Sequence, residues 1–214
     1  MTEPDVVITD YLLAVESVLF AVFLWRQSTD RRRLRHPFVA FFAVTGAASL
    51  AGGTVHGFFL SGDSPLETIL WRAALLCVGL AALCGWAIGA RMLLAGRTAR
   101  RIQVAAAIEY LAYAVVIVAV DDSFRVAVAN YLPATAFLMV AFLHTYRTDR
   151  QAGMAGIVGI AATVVAAAVQ QLRVAVHPRY FNHNALYHVT QAIALFLILR
   201  AAQLLIRQPA EGSI

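Results

Sequence analysis

Lysine is absent from this sequence, and all seventeen of its basic residues are arginine. A retinal Schiff base requires a lysine amine, so the absence excludes the retinal-binding proteins. Charged residues of either sign are few, at 14% of the 214 residues, whereas hydrophobic residues make up 61% and the mean hydropathy is +0.72. One soluble core could not bury this much apolar surface, so the composition excludes a soluble helical bundle.

The apolar residues occur in seven long blocks. Each has about twenty residues, the length that an α-helix needs to cross a hydrocarbon core of about 30 Å. We predict an all-α, polytopic membrane protein in which residues 1–214 form a single seven-helix transmembrane domain. The amino-terminal residues hold carboxylates and no basic residue, unlike a cleavable secretory signal, so we expect the first helix to be retained. The predicted helices are residues 6–25, 38–60, 68–94, 102–120, 126–146, 152–172 and 184–206.

Arginine is distributed unevenly among the predicted loops. Thirteen of the seventeen follow the first, third, fifth or seventh helix, and three lie on the other side. The positive-inside rule therefore predicts an amino terminus outside and a carboxyl terminus in the cytoplasm, and we expect the cell (plasma) membrane. Arginine beside anionic lipid headgroups explains the net charge of +5, so we expect membrane lipids and no nucleic acid as partners. The sequence predicts no oligomeric state.

Polar residues within the predicted helices gather on the outer side of the membrane. His56 lies four residues before the end of the second helix and His188 four residues into the seventh, so the two histidines lie at the same level. Asn184, His188 and Gln191 share one face of the seventh helix. Polar groups at this depth are costly and usually face a bundle interior or a cavity. We predict an outward-facing polar cavity that is also lined by Asp10, Glu16 and Arg72.

Two histidines at one level suggest a metal site. A catalytic zinc needs about three protein ligands and a bound water, and imidazole is its commonest ligand. His56 and His188 would supply two ligands, and the third stays open, since asparagine is a poorer ligand than histidine or a carboxylate. A hydrogen-bonded structural pair and a proton-handling site are alternatives. The candidates for the third ligand are His183, Asn184, Glu67 and Asp63.

The stretch NALYH, followed by VTQAIAL, resembles the HxxxH motif that opens the seventh helix in the alkaline ceramidases and in the adiponectin and progestin receptor family. Both belong to the CREST superfamily of seven-helix metal-dependent hydrolases. The resemblance implies that His56 and His188 bind zinc and that Glu67 is the acidic residue of the site. The sequence departs from the family pattern at Asn184, where the motif has a histidine, and at Gly52, where it has a serine.

The resemblance also implies hydrolysis of a lipid-like amide or ester. A zinc-bound hydroxide would attack the carbonyl group, with Glu67 relaying the proton. The zinc ligands would be His56, His188 and either His183 or Asn184. An ion pair with Arg72 is the ordinary explanation for Glu67.

Two further functions stay open. Asn184 and Gly52 favour a non-catalytic protein of the same fold, which binds lipid or acts as a receptor. His56 and His188 together would also suit a haem or proton carrier.

Two features lie outside this polar cluster. Gly153, Gly156 and Gly159 on the sixth helix form a small-residue surface that lets membrane helices approach closely. Glu109 lies near mid-membrane on the fourth helix, and we expect it to be protonated or paired with His144.

Overall fold

The computed structural model describes residues 3–29, 31–59, 64–178 and 180–207. In these ranges the chain forms seven helices, each long and apolar enough to cross a membrane. The predicted all-α, seven-helix membrane fold is confirmed. The helices are α1 (Pro4–Arg26), α2 (Arg32–Phe58), α3 (Pro65–Leu93), α4 (Gly96–Ala119), α5 (Phe124–Thr145), α6 (Arg150–Gln171) and α7 (His183–Arg207).

The helix ends differ from the sequence prediction mainly at α2 and α4. Each begins six residues earlier than predicted, at Arg32 and Gly96, and includes several arginines. Hydropathy marks only the part of a helix that crosses the hydrocarbon core. The backbone hydrogen bonds of a helix continue into the polar interface, where arginine is tolerated.

Six of the seven helices form a closed ring. Its order is α1, α2, α3, α5, α6 and α7, and α7 closes the ring by packing against α1. The remaining helix, α4, packs on the outside of the ring against α3. Consecutive helices run in opposite directions, so one end of the bundle carries the starts of α1, α3, α5 and α7. We call this the N-terminal end of the bundle.

The apolar core lies towards the opposite end. Phe38, Phe41 and Phe42 of α2 pack there with Phe142 of α5 and Ile198 of α7, and all five are almost completely buried. These large side chains fill the interior of the ring.

Glycines set the spacing between α6 and its neighbours. A Cβ atom at Gly153 would collide with the backbone of Tyr146, and one at Gly156 would collide with the ring of Phe142. At Gly159 a Cβ atom would lie 2.9 Å from Ile198 of α7. Lipid tails are as apolar as the helices, so close packing of this kind holds membrane helices together. The predicted small-residue surface of α6 is confirmed.

Candidate functional site

A cavity of about 190 Å³ lies inside the ring. All six ring helices contribute to its wall, whereas α4 does not contribute within the described ranges. The cavity extends from the N-terminal end of the bundle down to Phe41 of α2 and Ala81 of α3, where the apolar core begins. It is the internal space that the prediction of a polar cavity required.

The polar side chains of the cavity lie near the N-terminal end. With a rise of about 1.5 Å per residue, Asp10 lies about 9 Å along α1 from its first residue and His188 about 8 Å along α7. Deeper in the wall, the hydroxyl groups of Thr45 and Thr135 donate to carbonyl oxygens of their own helices. These hydroxyl groups therefore have no hydrogen left to donate into the cavity, and the deep part of the cavity is mainly apolar.

Asp10 and His188 form a buried pair between α1 and α7. Their exposed fractions are 3% and 7%. Oδ1 of Asp10 lies 3.2 Å from Nε2 of His188, and Nδ1 of His188 lies 3.1 Å from Oγ1 of Thr9. Both ring nitrogens of His188 therefore have a partner on α1.

The hydrogen bonds of Thr9 indicate which ring nitrogen of His188 donates to it. The single hydroxyl hydrogen of Thr9 is directed to the carbonyl oxygens of Asp5 and Val6, which lie 2.9 and 3.0 Å away, as is common for a helical threonine. Thr9 therefore accepts a hydrogen bond from Nδ1 of His188. Nε2 of His188 faces Oδ1 of Asp10 across an ion-pair distance of 3.2 Å.

A second polar network closes the N-terminal end. Nδ1 of His56 lies 2.6 Å from Oε2 of Glu3 and donates to it. Asn182 donates from Nδ2 to Oε1 of Glu3, and from its backbone amide to Oδ2 of Asp5. Oδ1 of Asn182 accepts hydrogen bonds from the backbone amides of residues 184 and 185 and so caps the start of α7. This network ties the start of α1 to the end of α2 and the start of α7.

Gly52 and Gly53 bring α2 close to Asp10. A Cβ atom at Gly53 would lie 2.8 Å from the Cβ of Asp10 and 3.1 Å from the ring of Tyr11, so this position requires glycine. A Cβ atom at Gly52 would lie 3.6 Å from Oδ2 of Asp10, an ordinary contact. Gly53 thus permits the helix contact, while Gly52 leaves space beside the carboxyl group.

Five of the residues predicted for the site do line this one cavity. They are Asp10, His56, Asn184, His188 and Gln191. Gln191 reaches across to α6, where its Nε2 lies 3.5 Å from Oγ1 of Thr163. The structure therefore brings together the two histidines and the predicted face of α7.

Four other predicted residues do not line the cavity: Glu16, Glu67, Arg72 and His183. Arg72 instead donates from Nε to Oδ2 of Asp122 at 3.0 Å, in the loop between α4 and α5. The neighbouring Trp71 donates from Nε1 to the carbonyl oxygen of the same Asp122 at 2.7 Å, but of the two side chains only that of Trp71 lines the cavity. Glu67 lies one turn before Trp71, at the end of the bundle.

Glu16 and His183 are displaced for similar reasons. Glu16 follows Asp10 by six residues, so the two side chains point to different faces of α1. Glu16 lies in a separate crevice between α1 and α7, whose wall also includes Thr9 and His188. His183 is the first residue of α7. Its side chain is rotated by about 100° around the helix axis from that of Asn184, which lines the cavity. Asp63, a further candidate, lies outside the described residues.

The donor groups do not fit the zinc site that the family resemblance implied. In the described part of the chain, no three His, Cys, Asp or Glu side chains come together in a group that could hold a metal ion. A metal-bound histidine needs one ring nitrogen for the metal, but both nitrogens of His188 have partners on α1. The same engagement opposes a haem held by His56 and His188.

Glu109 and His144 do not pair with each other. α4 packs on α3, away from the α5 face that carries His144. Glu109 makes no hydrogen bond or ion pair with any residue that the structure describes. The predicted pair with His144 is wrong, because the order of the ring places α4 outside it.

Three residues of the site were not predicted as members: Thr9, Glu3 and Asp5. Each lies in the first turns of α1 or just before it. The sequence offered one signal, since Asn182 directly precedes the apolar block of α7 and asparagine is a preferred helix cap. Nothing local indicates which distant carboxylates such a cap would contact.

Comparison with known proteins gives one match. The model of a family of unknown function, DUF6962, matches residues 6–207. No curated protein and no solved structure matches the chain.

Proposed function

Since the chain belongs to the DUF6962 family, whose function is unknown, the function must be argued from the cavity, and we propose that the protein binds a lipid-like, amphipathic molecule there. One observation carries the proposal. A single cavity inside the ring has polar groups near one end and an apolar wall along the rest.

This division matches the two parts of an amphipathic ligand. Small-molecule sites are mostly apolar, with a few placed polar groups that orient the ligand. Here Asp10, Asn184 and Gln191 would receive a headgroup, and the wall between Leu13 and Ala81 would receive an acyl or alkyl chain. Aromatic side chains, among them Trp71 and Tyr131, would contact the junction between the two parts.

We also propose that the polar end of the cavity faces the outside of the cell membrane. Arginines at the ends of α1, α3 and α7 lie at the opposite end of the bundle, as do those of the short connection between α5 and α6. Arginine is enriched on the cytoplasmic side of membrane proteins. The polar headgroup would then lie in the outer half of the bilayer.

Hydrolysis of a lipid-like amide or ester, which the family resemblance implies, is the second candidate. The observation that favours it is the Asp10–His188 pair, because a carboxyl group beside an imidazole is a common acid–base unit. Thr9, whose hydroxyl group contacts Nδ1 of His188, does not line the cavity, so the pair presents no hydroxyl nucleophile there, which favours binding over catalysis. The same purified protein tests both candidates.

The test is to identify what the protein retains on purification. Wild-type protein in a mild detergent is extracted, and the extract is compared by mass spectrometry with that of Ala48→Leu, which places extra atoms in the cavity. Leu111→Phe, on the lipid-facing side of α4, is the matched control. We expect one lipid-like species enriched in the wild type and the control and depleted in Ala48→Leu.

Two outcomes would overturn binding in the cavity. One is an extract with no species enriched over the bulk membrane lipids. The other is a species retained equally by Ala48→Leu and by a second filling variant, Val78→Phe, when both are folded. Incubation of the wild type with lipid amides and esters tests hydrolysis separately, and cleavage that Asp10→Asn abolishes would support it.

A further inference from the structure

The charge of the cavity wall limits the headgroup that it accepts. Asp10 is its one carboxyl group, and none of the arginines that the structure describes lines it. An anionic headgroup would therefore lie beside a carboxyl group in a medium of low dielectric constant, with no arginine to compensate its charge. The wall is suited to a neutral or cationic headgroup.

One oxygen of Asp10 is available to such a headgroup. Oδ1 lies 3.2 Å from Nε2 of His188, whereas Oδ2 makes no hydrogen bond within the described part of the chain. Beside Oδ2 lies Gly52, and a Cβ atom placed there would have only the two oxygens of Asp10 within 4 Å, apart from its own helix. The space over Oδ2 is therefore open to the cavity.

The chemistry of a carboxylate oxygen decides what Oδ2 can do. Oδ1 faces Nε2 of His188, and Oδ2 offers its lone pairs to the cavity as a hydrogen-bond acceptor. An ester or an ether has no hydrogen to donate to it. A hydroxyl group or an amine has one.

We infer that the ligand carries a hydrogen-bond-donating, non-acidic headgroup, a hydroxyl or an amine, which donates to Oδ2 of Asp10 in the space beside Gly52. This inference rests on the proposed function, because it names the headgroup of the molecule that the cavity binds. Oδ2 faces the cavity without a partner from the described residues, and a donor on the ligand would supply that hydrogen bond.

Four single-chain probes that differ only in the headgroup test the inference: dodecanol, dodecylamine, methyl laurate and laurate. Each is added to detergent-purified, delipidated full-length protein, and the midpoint of thermal unfolding is followed. We expect dodecanol, dodecylamine or both to raise the midpoint, and methyl laurate and laurate to leave it unchanged. The relative effect of the alcohol and the amine distinguishes a hydroxyl from an ammonium group as the source of the donor.

Gly52→Ala is the variant that tests the location. Its added methyl group occupies the space over Oδ2, and its contact with Asp10 is an ordinary one. We expect the unliganded midpoint to be unchanged and the dissociation constant of the stabilising probe to rise by about tenfold, the loss of one hydrogen bond. Gly85→Ala is the matched control, because a Cβ atom there meets only Ala134 at 3.7 Å, outside the cavity.

The outcomes separate the inference from the proposed function. Stabilisation by methyl laurate or laurate equal to that by dodecanol would overturn the inference and leave binding of an amphipathic ligand intact. Two other outcomes would also overturn the inference alone. One is a retained species whose headgroup has no hydrogen-bond donor, and the other is unchanged affinity of Gly52→Ala for dodecanol. No stabilisation by any probe, together with no retained species, would overturn the proposed function as well.

Discussion

Oδ1 of Asp10 on the first helix lies 3.2 Å from Nε2 of His188 on the last helix. This contact closes the ring of helices at the depth where its interior is polar. Because both residues are buried, the pair contributes to stability as well as to the site.

Replacing Asp10 should show how the pair is bonded. In Asp10→Ala, Nε2 of His188 loses its partner in a buried site, and we expect the free energy of unfolding to fall by about 1–3 kcal/mol. In Asp10→Asn, the amide NH₂ can donate to Nε2, so most of this stability should remain. Unfolding of both variants by a denaturing detergent provides the measurement. Equal loss in the two variants would contradict a stabilising polar contact between residue 10 and His188.

The two adjacent glycines of α2 should respond differently to a methyl group. Gly53→Ala forces a Cβ atom to within 2.8 Å of the Cβ of Asp10, and overpacking of this kind costs about 1–3 kcal/mol. Gly52→Ala makes only an ordinary contact, so we expect it to unfold at the same temperature as the wild type. Thermal unfolding of the two variants side by side checks the prediction. It fails if Gly52→Ala is the less stable of the two.

Arg72 should matter little for ligand binding. Its side chain is 37% exposed and that of its partner Asp122 is 39% exposed, and ion pairs at such exposure are worth about 0–1 kcal/mol. We expect Arg72→Gln to retain the wild-type ligand and to lose at most about 1 kcal/mol of stability. Asp10→Ala, in the cavity, is the contrasting variant in the same binding assay. Loss of the ligand in Arg72→Gln would place this arginine in the site after all.

Metal content provides an independent check on the donor geometry. Both nitrogens of His188 are engaged with α1, so we expect purified protein to hold no stoichiometric zinc. Elemental mass spectrometry of protein never exposed to a chelator measures this, beside His56→Ala and His188→Ala. About one zinc per chain that both variants lose would instead support the hydrolase that the family resemblance implies.

Orientation can be measured with single cysteines. In a background with Cys77 and Cys84 replaced by alanine, Ala175→Cys lies in the loop between α6 and α7 and Thr148→Cys in the connection between α5 and α6. Both positions are exposed. A membrane-impermeant thiol reagent applied to intact cells should label Ala175→Cys and leave Thr148→Cys unlabelled until the cells are broken. The reverse pattern would place the polar end of the cavity in the cytoplasm.

Much of the site was predictable because depth in a membrane follows from position along a helix. His56 and His188 were placed at one level, and both line the cavity together with Asn184. Rotation about the helix axis was less predictable. Glu16 and Arg72 have the right depth but face a crevice and a loop, since hydropathy in a mostly apolar helix hardly distinguishes one face from another.

By itself, the sequence determined the number of helices and their approximate spans. In lipid every backbone amide must bond within its own segment, so a long apolar block forms a helix whatever its neighbours are. Only the tertiary structure decided that α4 lies outside the ring, that Asp10 meets His188, and that Gly52 leaves an oxygen open. These contacts join residues far apart in the chain. They depend on how closely whole helices pack and in which order, and no local pattern of side chains specifies either.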